Sequence, residues 1–278
     1  MTVALVVQVK NENKYLDEWI THYQNLGINH IYIADNNDID GENLHDVIDK
    51  YENYITYIDI RGINVDELQP FIYEYIYNYN NDKYDWWCFF DADEFLEFTK
   101  DKSIQEYLSR DVFNNVDQIH INWLIYDDND LIEYDDRPVQ ERFTRITKLY
   151  DEDTDNNWSK EFNKYACKSI IRKGLNIKSV IHTFVCKDKN NPLVTVDAYG
   201  GIANEIWGSS NSKDRYELCY LKHYSTKSLN EFLWKKYDQI ASPKIFFYTL
   251  DYYFMINRHT KEKDEYIEKY LNLLKLYK

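Results

Sequence analysis

Two aspartates that are separated by a single residue, Asp91 and Asp93, stand directly after a short hydrophobic segment. That segment, residues 85–90, reads DWWCFF, and its run of large apolar side chains is typical of a buried strand. Both carboxylates can reach one ion if the chain bends between them, and carboxylate oxygens are ligands that Mg²⁺ and Mn²⁺ favour. The pattern therefore predicts a divalent metal site at the end of a strand. The alternative is an acidic turn that only caps the next helix.

The elements before this pair predict an open α/β sheet. Strands and helices alternate in the N-terminal part of the chain: strands at 3–9, 30–33 and 55–60, and helices at 15–26 and 42–53. Such alternation predicts a mostly parallel sheet with right-handed crossovers. Because ligands of these sheets bind beyond the carboxyl ends of the strands, Asp91 and Asp93 are expected at the ligand-binding edge.

The rest of the chain extends the same domain. Further predicted elements are a helix at 66–81, strands at 118–126, 168–172 and 180–184, and helices at 226–240 and 262–277. The chain between 127 and 164 is polar and irregular, and there is no internal repeat. We predict one Rossmann-like α/β catalytic domain over residues 1–225, with a C-terminal helical extension over 226–278.

Composition restricts the partners. The formal net charge of −15 argues against a nucleic-acid partner, because no basic stripe is available to neutralise phosphates. The four cysteines have no zinc-type spacing and are expected as reduced thiols: Cys88, Cys167, Cys186 and Cys219. No apolar run approaches the ~18 residues of a membrane-spanning helix, so we expect a cytoplasmic protein.

Three segments resemble blocks of bacterial GT-A glycosyltransferases in the broad family-two group and in family ninety-two. WWCFFDADEFLEF, residues 86–98, is similar to their Asp-x-Asp-Glu-Phe signature. VVQVKNENKYLDEWITHYQNLGINHIYIADNNDIDG, residues 6–41, resembles their opening, and LKHYSTKSLNEFLWKK, residues 221–236, resembles their His-Tyr-x-x-Lys-Ser-x-x-Glu-Phe segment. The resemblance implies a GT-A fold, in which helices flank a mixed, mostly parallel sheet. It also implies a nucleotide-sugar donor and Mn²⁺ or Mg²⁺.

The resemblance also implies roles for individual residues. Asp91 and Asp93 would hold the metal and the donor phosphates, with Asp93 the first choice for direct ligation. His223 would be a third metal ligand, and His182 is the competing histidine. The implied donor contacts are Lys10, Asn11 and Glu12 in the first loop, Asp35 and Asn36 at the second strand end, and Glu94 and Lys227. Lys227 as a solvated surface residue is the alternative. Gln69 and Tyr73, on the helix before the motif, are further candidates for donor contacts.

The acceptor side is less defined. An inverting transfer needs a carboxylate to deprotonate the acceptor hydroxyl, and several are available: Asp127, Asp128, Glu161, Asp197 and Glu205. We name Asp127 as the candidate base, although its loop, IYDDND, departs from the glycine-containing loop of the relatives. Trp123 either stacks on a sugar or belongs to the core. Residues 200–210 are either a mobile lid or an ordinary loop.

The leading hypothesis is an inverting hexosyltransferase that uses a UDP-sugar. Analogy favours galactose as the sugar and a surface-glycan precursor, such as a lipid-linked oligosaccharide at the inner face of the cell membrane, as the acceptor. Peripheral membrane contact would then involve residues 234–236 and 246–254. One alternative is a non-catalytic module of the same fold that binds a sugar or nucleotide. A nucleotidyltransferase is disfavoured because the first loop contains no glycine, and a hydrolase because adjacent aspartates cannot flank a glycosidic bond.

Overall fold

The computed structural model describes residues 1–147, 166–180, 182–203, 216–240 and 249–257, together with Asn272. The chain forms two compact units: residues 1–124 with 164–222, and residues 125–163 with 223–278. Several predictions, including the helix at 262–277, Glu161, Glu205 and most of the loop at 200–210, lie outside the described residues. The predicted division at residue 225 stays a prediction.

The first unit is built on one large sheet. Its strands are β1 (Val3–Val9), β2 (His30–Asp35), β3 (Ile55–Asp59), β4 (Trp86–Phe89), β5 (Glu94–Phe98), β6 (Gln118–Ile125), β7 (Cys167–Arg172), β10 (Thr195–Asp197) and β11 (Cys219–His223). The strand order is β3-β2-β1-β4-β7-β6-β11-β5, and β10 pairs with β6. The last residues of β6 and β11 fall in the second unit. Two further strands, β8 (Ile177–Val180) and β9 (Thr183–Cys186), pair only with each other.

The strand directions confirm the predicted mixed α/β class. β3, β2, β1 and β4 run parallel, whereas β7 is antiparallel to both β4 and β6. The valine-rich β1 lies between β2 and β4, and residues 3–7 are fully buried. An unbroken apolar run is therefore required there, because both faces of the strand are covered.

Helices cover the sheet of the first unit. They are α1 (Asn13–Asn25), α2 (His45–Ile48), α3 (Leu68–Asn80) and α4 (Ile104–Leu108). In α1 the buried side chains recur at helical spacing, and Gly27, with φ +91°, follows the helix end. The predicted acidic helix at 42–53 is wrong in length, since α2 gives way to a 3₁₀ turn at Asp49–Tyr51.

The second unit contains helices α5 (Val139–Arg142), α6 (Leu229–Ile240) and α7 (Leu250–Asn257). α6 begins with a capping box, in which Glu231 Oε2 accepts the N–H of Ser228 at 3.1 Å and Ser228 Oγ accepts the N–H of Glu231 at 3.3 Å. The sequence Ser-x-x-Glu thus fixes where this helix starts.

The predicted single strand at 180–184 is wrong. The chain reverses there, so that β8 and β9 form an antiparallel hairpin, with Val180 opposite Thr183. His182 has φ +69°, a left-handed conformation that a strand does not allow. The turn carries neither glycine nor proline, and the sequence therefore gives no local signal for the reversal.

Candidate active site

The two aspartates of the motif lie in a tight turn between β4 and β5. The N–H of Glu94 donates to the carbonyl of Asp91 at 3.1 Å, and the N–H of Asp91 donates to Glu94 Oε2 at 2.9 Å. These two reciprocal bonds join the first and last residues of the turn. The backbone around Asp93 is consequently fixed at the carboxyl end of β4, as the sequence pattern predicts.

Two side chains of helix α1 donate hydrogen bonds to the backbone of this turn. The indole N–H of Trp19 donates to the carbonyls of both Asp91, at 3.1 Å, and Glu94, at 2.9 Å. The hydroxyl of Tyr23 also donates to the carbonyl of Glu94, at 2.9 Å, and accepts the N–H of Leu96 at 3.2 Å. Trp19 belongs to the N-terminal block and Asp91 to the central block, so these two sequence blocks meet in one hydrogen-bonded assembly.

Asp91 is surrounded by donors. Lys168 Nζ lies 2.7 Å from Oδ2, while Gln69 Nε2 donates to Oδ1 at 2.9 Å and the Tyr73 hydroxyl lies 3.4 Å from the same atom. Burial raises the pKa of Asp91, but attraction by Lys168 outweighs it, and the pKa is lowered from its ordinary value. Asp91 is therefore a carboxylate at neutral pH, with its charge already balanced by the protein.

Lys168 is a residue of the candidate site that sequence reasoning missed. It lies on β7, its side chain is 2% exposed, and its Nζ lies 5.8 Å from the centre of the Trp123 ring. Burial lowers its pKa, but the carboxylates of Asp91 and Glu94 have the larger combined effect and raise it. The sequence does hold one signal for this residue, a lysine inside the predicted strand at 168–172. All of the segment CKSII is buried, and a buried ammonium requires a partner of opposite charge.

Glu94 and Asp93 offer a second carboxylate pair. Glu94 is fully buried, and burial raises its pKa well above the ordinary value. Its Oε1 makes no hydrogen bond within the described part of the chain and lies 3.8 Å from Lys168 Nζ. A carboxylate oxygen of the half-buried Asp93 lies within 4.8 Å of one of Glu94. Two hard donors at this separation could hold one cation.

The first loop and the end of β2 form a neighbouring polar cluster. The N–H of Asn11, a residue with φ +57°, donates to Oδ1 of Asn37 at 2.8 Å. The N–H of Asn37 in turn donates to Oδ1 of Asp35 at 2.9 Å, and the Tyr57 hydroxyl donates to Oδ2 of Asp35 at 3.0 Å. Asn37 thus links the predicted donor contacts Asn11 and Asp35.

The other predicted residues of these loops have mixed environments. Lys10 pairs with exposed Asp38 at 2.8 Å, and the carbonyl of buried Glu12 accepts the N–H groups of Tyr15 and Leu16 in the first turn of α1. Asn36 donates its N–H to the carbonyl of Val9 at 2.9 Å, and its buried Oδ1 has no hydrogen-bond partner among the described residues. Its amide oxygen is therefore available for a ligand.

His182 lies on the same side of the first unit as Asp91. Its ring packs against Trp123 at a centroid distance of 4.9 Å, and a small pocket is lined by His182, Lys168, Gln69 and Tyr73 among others. His182 also contributes to the lowered pKa of Asp91. Trp123 is 6% exposed and therefore belongs to the core, with one side against this histidine.

Three predicted site residues belong to the second unit. His223 ends β11, is buried, and its carbonyl accepts the N–H of Tyr126 at 3.0 Å. Lys227 has φ +55° and is 4% exposed, so its interpretation as a solvated surface residue is wrong. The assignments of His223 to the metal and of Lys227 to the donor stay predictions.

The third of these residues, the candidate base Asp127, is held by Arg145, whose Nε lies 2.6 Å from its Oδ2. Burial raises the pKa of Asp127, and the contact with Arg145 opposes the shift without cancelling it. Asp127 Oδ1 also accepts the N–H of Asn129 at 2.9 Å, and the competing carboxylates among the described residues have local partners as well. Asp128 accepts the Tyr253 hydroxyl at 2.6 Å, and Asp197 Oδ1 accepts the N–H groups of Tyr199 and Gly201 at 2.9 and 3.0 Å.

Comparisons with known proteins give only distant structural likenesses. No protein-family model matches the chain, and no curated protein is significantly similar to it in sequence. The chain is similar to the crystal structure of S. aureus TarS 1-349, with 13% identity, a TM-score of 0.39, and coverage of 99% of this chain and 79% of TarS. For the same protein in complex with UDP, the identity is 12%, the TM-score 0.30 and the coverage 46% of this chain and 36% of TarS.

An active-site mutant of LgtC is similar at 12% identity and a TM-score of 0.28, over 43% of this chain and 46% of LgtC. Identities and TM-scores this low say nothing about the reaction of this chain. The resemblance to family-two-like and family ninety-two glycosyltransferases stays a prediction. Among the described residues, no helix combines the length and the apolar character that crossing a membrane requires.

Proposed function

We propose that this chain is a metal-dependent glycosyltransferase that moves a hexose from a UDP-sugar to a hydroxyl group of a surface-glycan precursor. The observation that carries the proposal is the turn from Asp91 to Glu94, which is fixed at the carboxyl end of β4 by Trp19 and paired with Lys168. A turn that only capped a helix would need neither a buried ammonium nor a clamp from α1, and β5 follows it instead of a helix. The three resembling sequence blocks add the donor class.

We assign different roles to the two aspartates of the motif. Both oxygens of Asp91 already accept hydrogen bonds from the protein, one from Gln69 and the other from Lys168. Asp93 and Glu94 fit Mn²⁺ or Mg²⁺ better, because their donors are hard oxygens and one buried oxygen of Glu94 has no hydrogen-bond partner among the described residues. When bound, the ion would neutralise charge on the leaving diphosphate. Asp91 would orient the donor, and Lys168 would keep Asp91 ionised.

The acceptor hydroxyl needs a base, and Asp127 remains the proposed residue. Its raised pKa brings its basicity closer to that required at neutral pH, since a general base works best when its pKa is near the pH of the reaction. Arg145 fixes the carboxylate in one orientation through Nε. The Asp127→Asn variant should keep donor binding and lose transfer, which separates this role from a structural one.

Ligand-dependent melting tests the donor and the metal together. The panel comprises UDP, UDP-glucose, UDP-galactose and other nucleotides, each with Mn²⁺ and with a chelator. A ligand that binds only the folded protein raises the melting temperature by mass action. We expect UDP or a UDP-sugar to stabilise the protein only with metal, and Asp93→Asn to remove this effect. Absence of any shift, with or without metal, would contradict the proposal and favour a module without nucleotide chemistry.

A further inference from the structure

The outer face of α3 carries three exposed aromatic side chains in a row. Phe71, Tyr75 and Tyr79 are spaced four residues apart and are 65%, 55% and 76% exposed. Residues at this spacing lie above one another on one side of a helix. The opposite side of α3 packs on the core through Ile72, Ile76 and other buried residues, so the aromatic row is not needed to fix the helix on the sheet.

The three rings are nearly parallel. The Phe71 and Tyr75 rings are 6.5 Å apart with an angle of 21° between their planes, and the Tyr75 and Tyr79 rings are 6.1 Å apart with an angle of 15°. Because all three side chains are exposed, they form a continuous aromatic strip along two turns of the helix. A contiguous patch of exposed aromatic side chains gains free energy when a ligand covers it, and such patches therefore often mark binding surfaces.

A shallow groove of about 300 Å³ runs along the strip and is lined by Phe71, Glu74, Tyr75, Asn78 and Tyr79. Glu74 is fixed by Lys187, whose Nζ lies 2.7 Å from its Oε1, and by the N–H of Ser179, 3.2 Å from its Oε2. The groove thus combines aromatic faces with a positioned carboxylate and an exposed amide. Its five lining residues include no cation.

We propose that this strip is a docking site for a neutral glycan chain. The face of an aromatic ring is electron-rich, and it complements the weakly positive C–H groups on the face of a hexose. The carboxylate of Glu74 accepts hydrogen bonds from sugar hydroxyls, and the amide of Asn78 both donates and accepts them. Phosphate-bearing ligands and anionic lipids are disfavoured, because Lys187, the cation beside the groove, is already paired with Glu74 and the whole chain is acidic.

The same helix serves the candidate active site on its other side. Gln69 and Tyr73 reach Asp91, whereas Tyr75, two positions beyond Tyr73, lies about 200° further around the helix axis. The use of such a site rests on the proposed glycosyltransferase function. A polymer that is held on the strip keeps its growing end at a high effective concentration near the candidate active site. A holding site of this kind acts on long acceptors and leaves short ones unaffected.

Affinity electrophoresis in gels that contain neutral polysaccharides tests the site without donor or metal. The probes are dextran, soluble starch, laminarin, galactomannan and hydroxyethyl cellulose, and the wild type is compared with Tyr75→Ala, Tyr75→Leu and Tyr75→Phe. We expect at least one polysaccharide to retard the wild type and Tyr75→Phe, which keeps the ring. Tyr75→Ala and Tyr75→Leu should bind at least tenfold more weakly, with unchanged melting temperatures and unchanged UDP binding.

Three results would overturn the inference. The first is equal retardation of all four proteins, and the second is no retardation by any of the probes. The third is concentration-dependent dimerisation that Tyr75→Ala abolishes, because the strip would then join two copies of the chain. UDP binding in the wild type separates these failures from a failure of the proposed function: the nucleotide would still stabilise a transferase that lacks a glycan-docking strip.

Discussion

The ammonium of Lys168 lies 2.7 Å from Oδ2 of Asp91, although 77 residues separate them in the chain. Lys168 lies on β7 and Asp91 directly follows β4, and these two strands are antiparallel neighbours in the sheet. Because of this pairing the two aspartates of one motif differ electrostatically. Asp91 is neutralised by the protein itself, whereas a carboxylate oxygen of Asp93 lies within 4.8 Å of one of Glu94, the pair proposed above to hold the metal.

Replacement of Lys168 by methionine should destabilise the fold and reduce activity. The loss of one partner from a buried ion pair costs about 3–5 kcal/mol, and we expect the lower end or less because Asp91 is 29% exposed. The double variant Lys168→Met/Asp91→Asn should recover part of this loss, which urea unfolding of the four proteins in a mutant cycle would measure. Strictly additive effects would show that the pair contributes no interaction energy.

Asp93→Ala should abolish metal-dependent transfer and leave the fold intact. Asp93 is half-buried at the surface of the turn, while the bonds that close the turn come from Asp91, Glu94 and Trp19. The measurement is transfer from a UDP-sugar under a titration with Mn²⁺, with the melting temperature as the control. Near-normal metal-dependent turnover by this variant would place the metal elsewhere.

His120 should make the protein less stable in weak acid. Its side chain is fully buried, with Nε2 3.0 Å from Thr183 Oγ1, and burial lowers its pKa to about 4. As the pH falls, His120 of the unfolded chain therefore becomes protonated near pH 6.5, whereas His120 of the folded chain becomes protonated only near pH 4. The free energy of unfolding should thus fall as the pH is lowered through this window, by up to about 3 kcal/mol for this residue.

The control for His120 is His120→Gln, which does not titrate. The unfolding free energy of this variant should depend less steeply on pH between 6.5 and 4 than that of the wild type. A smaller dependence should remain, because burial also lowers the pKa values of His22 and His30. Equal slopes in urea unfolding for the variant and the wild type would assign the acid sensitivity to other groups.

Glu231→Gln should strongly destabilise the second unit. Both terminal nitrogens of the Arg142 guanidinium group donate to the carboxylate, at 2.8 and 3.0 Å, and the two side chains are 1% and 2% exposed. The variant leaves Arg142 buried beside a neutral amide, at a cost of about 3–5 kcal/mol. Calorimetry should show the loss, and Arg142→Met/Glu231→Gln, which keeps a side-chain oxygen for the capping box, should restore much of it. A double variant as unstable as the single one would contradict this account.

The amino-acid sequence determined several local elements and the place of the acidic motif at the end of a strand. The valine run of β1, the helical spacing of Leu16, Trp19 and Tyr23, and the polar end of the DWWCFF segment depend on neighbours within a few residues. Backbone periodicity and burial act over that range, and these three elements were therefore predicted close to their observed bounds. The position of Asp91 and Asp93 at the carboxyl end of β4 followed from the same pattern.

Tertiary structure alone decided which groups meet there. Lys168 reaches Asp91 only because β7 enters the sheet antiparallel to β4, and the sequence of a strand does not state the direction or identity of its neighbour. Trp19 likewise finds the carbonyls of Asp91 and Glu94 across more than 70 residues of chain. Ion pairs and side-chain hydrogen bonds depend on distances of a few ångströms, and these are set by the topology of the whole sheet rather than by spacing along the chain.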